Sequence, residues 1–189
     1  MNHELQGRTS SVNTEIKTNR LILRRFKESD YDDLFEFLSQ LESDEFEGYP
    51  GITYENGREH LRYRLESEDF FAVELLASGK VIGNIYCGNR DYHAKEVGYI
   101  INRDYQRRGY AGEALKAVVS AAFQAGVHRV YAECDPRNTC SWRLLEKLGF
   151  RREACFRQNS RASLLHGPVR PSGCSYPSFS PFTGIDCLF

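Results

Sequence analysis

One unbroken run, EVGYIINRDYQRRGYAGEALKAVVSAAFQA from Glu96 to Ala125, limits what this chain can fold into more than any other stretch. Lys95 to Asn102 is mostly apolar on both faces, as a covered strand should be. Ala114, Leu115, Val118, Val119, Ala122 and Phe123 then recur at helical spacing, and Gly126 ends the helix. Between strand and helix lies a basic turn, Gln106-Arg107-Arg108-Gly109-Tyr110-Ala111. A glycine turn opening a helix presents unpaired backbone N–H groups to an anion. Gly109 lets the backbone approach a ligand closely, Gln106 can orient the loop, and Arg107 or Arg108 can pair with phosphate. The turn therefore reads as a pyrophosphate cradle. No Gly-Lys-Ser/Thr follows, so it is not a Walker A loop. It does not fit G-x-G-x-x-G either, which disfavours a dinucleotide fold. By its own spacing it could equally be a surface turn carrying two solvated arginines.

The flanking elements complete an α/β pattern. Thr18 to Phe26 (TNRLILRRF) alternates as a strand. Ser29 caps a helix over Asp30–Leu41, with Asp30, Asp32 and Asp33 in its first turn, where the helix dipole favours negative charge. Thr53 caps a second helical stretch carrying Leu61 and Leu65. Strands over Phe70–Leu76 and Val81–Tyr86 form a hairpin about Ala77-Ser78-Gly79-Lys80, and Cys87 to His93 reads as a loop. Arg129–Cys134 is a further strand. Asn138 or Thr139 caps a short helix with Trp142, Leu144, Leu145 and Leu148, Gly149 ends it, and a last strand runs from Phe150 to about Gln158. Residues 28–69 are rich in Asp and Glu. Most of these belong on a solvated helix face, with an acidic wall for a cationic amine as the lesser reading.

Composition narrows the function classes. A formal net charge of −1 gives no basic field for nucleic acid. Arg107, Arg108, Arg151 and Arg152 come without an aromatic–basic platform for RNA. No apolar run is long enough to span a membrane, and the first fifteen residues lack the apolar core of a secretory signal. The cysteines at 87, 134, 140, 155, 174 and 187 show no C-x-x-C spacing, so reduced, structural thiols in a cytoplasmic protein are expected rather than disulfides or a zinc site. His93 and His128 have no partners in sequence that would make a metal site.

A second candidate site, Asn138-Thr139-Cys140-Ser141, opens the helix that continues WRLLEKLGF; alone, helix capping accounts for it. Taken in order with TNRLILRRF and EVGYIINRDYQRRGYAGEAL, however, these segments resemble the GNAT acetyltransferases, specifically the Rim-type branch that includes ribosomal-protein α-N-acetyltransferases. The likeness covers Thr18 to about Gln158. It implies a GNAT fold: a mixed central sheet flanked by helices. It implies acetyl-CoA as cosubstrate, no metal, and an amine acceptor that is a protein N-terminus or a small molecule, handled by a monomer or homodimer. Gln106 to Ala111 would hold the pyrophosphate. The backbone of Tyr99, Ile100 and Ile101 would pair with the pantetheine arm like an added strand, and Asn138 would hydrogen-bond the cofactor nearby.

The chemistry implied is direct attack of an amine on the thioester, which needs a base. Glu96 lies near a position where this family often carries such a carboxylate; the plainer reading is a half-exposed strand residue paired with Lys95 or solvent. Many relatives protonate the departing thiolate with a Tyr four residues before the glycine that ends this helix. Leu145 stands there, so Ser141 is the substitute, as in Rim-type relatives; it could also be a first-turn hydroxyl with no catalytic part. Tyr99, Tyr105 and Tyr110 read as packing residues, with Tyr99 able to edge the thioester.

The resemblance stops at Asn159. Ser160 to Phe189 holds four of the six prolines, at 168, 171, 177 and 181, and only Arg161, Arg170 and Asp186 are charged. The expected organisation is a flexible arm over 1–16, an acetyltransferase domain over 17–159 and a poorly ordered Pro/Ser-rich tail over 160–189. The last strand of the family's sheet is expected to be missing or replaced, with FTGIDCLF able to pair weakly at an edge. So abrupt a change is what a shifted reading frame or an alternative end produces. The missing Tyr and the tail together support a rival reading, a non-catalytic acyl-CoA-binding or interaction module.

Overall fold

The computed structural model describes residues 15–44, 46, 52–155 and 187–188. Its main sheet has six strands in the order β1 (Glu15–Lys17), β2 (Leu21–Arg24), β3 (Phe70–Leu75), β4 (Val81–Arg90), β5 (Ala94–Ile101) and β6 (Arg129–Tyr131). Neighbours are antiparallel except β5 and β6, which are parallel. A smaller antiparallel sheet has the order β7 (Glu133–Cys134), β9 (Cys187–Leu188), β8 (Ala154–Cys155). The helices are α1 (Tyr31–Ser39), α2 (Gly57–Glu66), α3 (Tyr110–Gln124) and α4 (Thr139–Lys147). The class is the mixed sheet flanked by helices that the sequence implies.

Alternation along the strands builds two cores. Val97 and Ile101 of β5, with Ile82, Ile85 and Cys87 of β4, face the side where α3 buries Ala114, Leu115, Val118 and Ala122 and α4 buries Leu145. Ile100, Tyr86 and Val81 face the other side, where α1 buries Tyr31, Leu34, Phe37 and Leu38 and α2 buries Leu61. Each fully buried Leu or Phe contributes about 1.5–3 kcal/mol, so the sheet is held from both faces. Burial pushes the Cys87 thiol up to about 11, which keeps it protonated and inert.

Four expectations need correction. The Thr18–Phe26 strand is a hairpin instead: β1 and β2 pair across Thr18–Arg20, where Thr18 N–H and its hydroxyl both bond the Leu21 carbonyl. The presumed loop Cys87–His93 is mostly strand. β4 runs on to Arg90 because Cys87, Gly88, Asn89 and Arg90 pair with Val97, Glu96, Lys95 and Ala94, and only Asp91–His93 makes the turn. The strand over 129–134 breaks at Ala132 into β6 and β7, which belong to different sheets. Of the strand expected from Phe150, Ala154–Cys155 is extended; residues 156–158 lie outside the described residues. So do residues 1–14 of the arm, residue 159, and residues 160–186 and 189 of the tail; Glu15 and Ile16, assigned to the arm, belong to β1. Within the tail, Cys187–Leu188 pairs with β7 on one side and β8 on the other. The segment thus bridges two strands rather than adding to an edge.

Part of the acidic stretch is spent internally. Asp33 and Glu36 hold Lys80 at 2.7 and 2.8 Å, and Asp32 accepts from the Tyr54 hydroxyl at 3.0 Å. Asp30 takes Arg24 in a bidentate pair at 2.7 and 2.9 Å, while Arg24 Nε reaches Glu74 at 2.5 Å. Asp30, Asp33 and Glu36 are thereby committed to protein cations rather than to an acidic wall. The Arg24 guanidinium is buried with both carboxylates, so Arg24→Met would strand two charges. Urea unfolding should show a loss of about 3–5 kcal/mol; a loss below about 1 kcal/mol would mean the pair carries no structural weight.

Candidate functional site

The site begins where β5 and β6 part. Ala94, Lys95 and Glu96 pair with Arg129, Val130 and Tyr131, and the ladder then ends. Beyond Glu96, β5 stays bonded to β4, but its other edge, Val97 to Ile101, has no strand partner among the described residues. The chain leaving β6 passes through Ala132 into β7 and the other sheet. β5 leads into α3 and β7 leads into α4, so both helix N-termini come to the open end of the fork, where crevices form in sheets of this kind.

At that end lies the turn that the sequence reading makes an anion cradle. Gln106 Nε2 donates to the Ile101 carbonyl at 2.9 Å, tying the turn to the end of β5. Arg107 has φ 61° and Gly109, the N-cap of α3, has φ 82°. These left-handed residues swing the backbone so that its amides do not fold back on the chain. The N–H groups from Arg107 through Gly112 find no acceptor among the described residues; Gln106 N–H bonds Arg103 and Glu113 N–H bonds Gly109 on either side of the run. Amides left unpaired at a helix N-terminus suit a polyanion such as pyrophosphate.

A clamp from β1–β2 fixes the far side of this turn. Arg20 donates Nη1–H to the Arg108 carbonyl at 3.0 Å and Nε–H to Glu113 at 2.7 Å, and its guanidinium lies 4.4 Å from the centre of the Tyr110 ring. The Thr18 hydroxyl donates to Glu113 at 2.6 Å. Burial pushes the Glu113 carboxyl up, but the bonds from Thr18 and Arg20 outweigh it and hold it below the usual range. Glu113 is therefore neutralised by Arg20 rather than repelling an anion in its own first turn. Arg108 is exposed, its guanidinium 5.5 Å from the Tyr105 ring. Ala111 is half-buried against the α3 core.

α4 closes the opposite side of the fork. Asn138 is its N-cap, with Oδ1 accepting from Ser141 N–H at 3.0 Å, so its carbonyl oxygen is occupied in capping and its Nδ2 is the group that can reach a ligand. Tyr99 and Ser141 share a hydroxyl–hydroxyl hydrogen bond of 2.8 Å. Arg107 reaches across to Cys140, with Nη1 3.7 Å from Sγ. Tyr99, Arg107, Cys140 and Ser141 thus converge, with the turn and the free edge of β5 beside them.

Glu96 stands apart from this group. It occupies the last paired rung, and because side chains alternate along β5 it faces the α1–α2 side, opposite Tyr99. It is 4% exposed rather than half-exposed, and its partner is Arg90, not Lys95. Arg90 Nε donates to Oε2 at 2.9 Å and Nη2 at 2.5 Å; Lys95 turns to Asn89 at 2.8 Å. The inward position follows from strand pairing: Glu96 opposes Gly88, two rungs from Arg90 and so on the same face. Burial alone would lower the Arg90 pKa, but the Glu96 charge raises it above the ordinary value. Burial and the Glu96 charge both push the Tyr131 phenol up. Glu96 Oε1 carries no hydrogen bond to the described residues.

Several contacts at the candidate site escaped the sequence reading. The Tyr99 hydroxyl was assigned to packing because nothing local shows that it meets Ser141. Arg20 and Glu113 lie 93 residues apart and have no local signature. Arg90 could have been found: extending the β4–β5 hairpin to its end brings Arg90 beside Glu96. Among the described residues, no group of three or more His, Cys, Asp or Glu could hold a metal ion, and no helix is long and apolar enough to cross a membrane.

Comparison with known proteins agrees with this geometry. The family model described as the acetyltransferase (GNAT) domain matches residues 20–151. YnaD of Bacillus subtilis (strain 168), an uncharacterized N-acetyltransferase, is 31% identical over 149 residues, covering 76% of this chain and 86% of YnaD. The crystal structure of a GNAT-family acetyltransferase from Bacillus anthracis matches with a TM-score of 0.72 and 31% identity, covering 76% of this chain and 87% of that one. The ribosomal-protein-S5-alanine acetyltransferase of Vibrio fischeri matches with a TM-score of 0.67 over 93% of this chain and 94% of its own, at 20% identity, a likeness of fold.

Proposed function

The chain belongs to the acetyltransferase (GNAT) family, and from that premise we propose that it transfers an acetyl group from acetyl-CoA to a primary amine by direct attack. The observation that carries this reading is the row of unpartnered amides from Arg107 to Gly112 beside the free edge of β5. The two fit successive parts of one ligand. The amides, with Arg107 and Arg108, would take the pyrophosphate; the β5 edge at Tyr99, Ile100 and Ile101 would take the amide groups of the pantetheine arm as a strand takes a neighbour; and Asn138 Nδ2 would donate to the same arm. No metal takes part in this reading.

In the reaction a C–N bond forms to the acetyl carbon as its C–S bond breaks, one proton leaving the amine and one reaching the thiolate sulfur. Ser141 is the proton donor in this proposal. Its hydroxyl is oriented by Tyr99, which can hand on a proton of its own through the 2.8 Å contact. Glu96 would accept the amine's proton through water at Oε1, the oxygen that Arg90 leaves free. Backbone amides near the fork would polarise the thioester carbonyl. The acceptor, in the Rim-type reading, is the N-terminal amine of a protein; the similarity in fold to the ribosomal-protein acetyltransferase supports it, and a small amine is the alternative.

Two observations favour the rival reading of a non-catalytic acyl-CoA-binding module: buried Leu145 stands where many relatives carry a Tyr, and Glu96 is already paired with Arg90. Calorimetry with acetyl-CoA, followed by thiol release against peptide and small-amine panels, separates the two. Turnover with any acceptor supports the transferase, and binding without turnover supports the module.

Gly109→Asp sets a carboxylate against the pyrophosphate on a backbone that disfavours a side chain. It should raise the Kd for acetyl-CoA about 100-fold, a ~2.7 kcal/mol loss, with an unchanged circular dichroism spectrum. Unchanged affinity would displace the site from this turn. Ser141→Ala should lower kcat about 100-fold while leaving the Kd for acetyl-CoA within about twofold. A kcat equal to that of the wild type would remove Ser141 from the proton path.

A further inference from the structure

The cofactor turn hangs from a corner of the chain, residues 101–106, that is satisfied largely from the opposite face of the sheet. Asn102 is wholly buried at the end of β5. Its N–H donates to the Ile82 carbonyl at 2.8 Å. Its side chain then joins two elements: Nδ2 donates to Glu36 Oε1 at 2.6 Å, and Oδ1 accepts from Gln40 Nε2 at 3.1 Å and from Asp104 N–H at 3.0 Å. Gln40 closes a second bond to the same corner, its Oε1 accepting from Arg103 N–H at 2.8 Å. Glu36 and Gln40 lie one helical turn apart on one face of the segment that starts as α1. Glu36 is itself fixed from behind, its Oε2 holding Lys80 at 2.8 Å. The bonds from Lys80 and Asn102 keep its carboxyl below the usual range, so it stays an acceptor.

From this corner the bonds run onward into the turn. Tyr105 N–H donates to the Asn102 carbonyl at 2.9 Å and Gln106 N–H to the Arg103 carbonyl at 3.2 Å, while the Gln106 side chain holds Ile101. The next six amides are the unpartnered ones. Their position relative to β5 is set at one end by the Arg20–Glu113 clamp and at the other by this corner, whose side-chain anchors on other elements, Glu36, Gln40, Ser43 and Asp44, all belong to the segment that starts as α1.

We propose that Glu36 and Gln40 are positioning residues for the pyrophosphate turn, acting through Asn102 and Arg103, so that the helix on the far face of the sheet sets cofactor affinity without touching the cofactor. The inference rests on the acetyl-CoA reading of the turn. It makes the α1 face and the cofactor turn one mechanical unit, and a displacement of α1 is felt at the amides.

The test is calorimetric titration of acetyl-CoA into the wild-type protein, Gln40→Ala, Glu36→Gln, Gly109→Asp and the double variant Gln40→Ala/Gly109→Asp. Thermal denaturation shows whether each is folded at the titration temperature. Gln40→Ala should weaken binding about 10-fold, and Glu36→Gln, which keeps an oxygen toward Asn102, should weaken it less. In the double variant the two effects should fall short of additivity, because both act on the same amides; a merely destabilising change would add in full. A Kd for Gln40→Ala within about twofold of wild type, or strict additivity, overturns the inference while leaving the functional reading intact. Failure of the folded wild type to bind acetyl-CoA overturns that reading and this inference with it.

Discussion

The end of the β5–β6 ladder at Glu96 and Tyr131 is the constraint on which the rest of the structure depends. A parallel pair that stays zipped offers no vacant edge; one that opens after three rungs leaves a strand edge with no neighbouring strand among the described residues. The same parting sends β6 through Ala132 toward the other sheet and brings the starts of α3 and α4 to a common mouth. Everything assigned to the cofactor lies on the lips of that fork. The fork is thus a consequence of strand divergence, and a ligand of the proposed kind would behave there partly as a strand and partly as an anion. A thioester on a long amide-bearing arm with a pyrophosphate behind it meets both conditions.

The turn is held by long-range contacts rather than by its own sequence. Arg20 and Glu113 fasten it on the α3 side, and Asn102, with Gln40 and Glu36, fastens the corner before it. Both devices place charged or polar side chains where they satisfy other protein groups, and both leave the run of amides itself unpaired. Such vacant, preorganised donors hold an anion with little reorganisation, whereas a flexible loop would have to be ordered at the moment of binding. Three acidic residues of the first helical region likewise satisfy other protein groups. Read as a surface, they suggested an acidic wall; in the fold, Asp30, Asp33 and Glu36 are tied to Arg24 and Lys80.

The parts of the site that were legible in sequence share one property: they are contiguous. Strand, Gln106–Ala111 turn and α3 follow one another without a break, and so do Asn138, Ser141 and α4. Periodicity and capping speak about such neighbours. What stayed hidden depends on contacts between distant segments. Tyr99 was assigned its backbone role, but its hydroxyl acquires a partner only when α4 folds back over β5. The environment of Glu96 was misjudged because β4 was ended at Tyr86. Pairing overrides the turn-like composition of Gly88 and Asn89, and the longer hairpin carries Arg90 to the carboxylate. The split at Ala132 was illegible for a related reason, since an extended segment that changes sheets looks like one strand. Cys187–Leu188 lies in a stretch whose composition argues against regular structure; pairing on both sides supplies what local propensity lacks.

The central claim is that one ligand occupies the β5 edge and the α3 turn together. Amide hydrogen exchange with and without saturating acetyl-CoA tests it most directly. The account predicts slowed exchange in both Val97–Ile101 and Arg107–Gly112, appearing at the same ligand concentration. Saturable binding that protects neither segment, or only the turn, would contradict it.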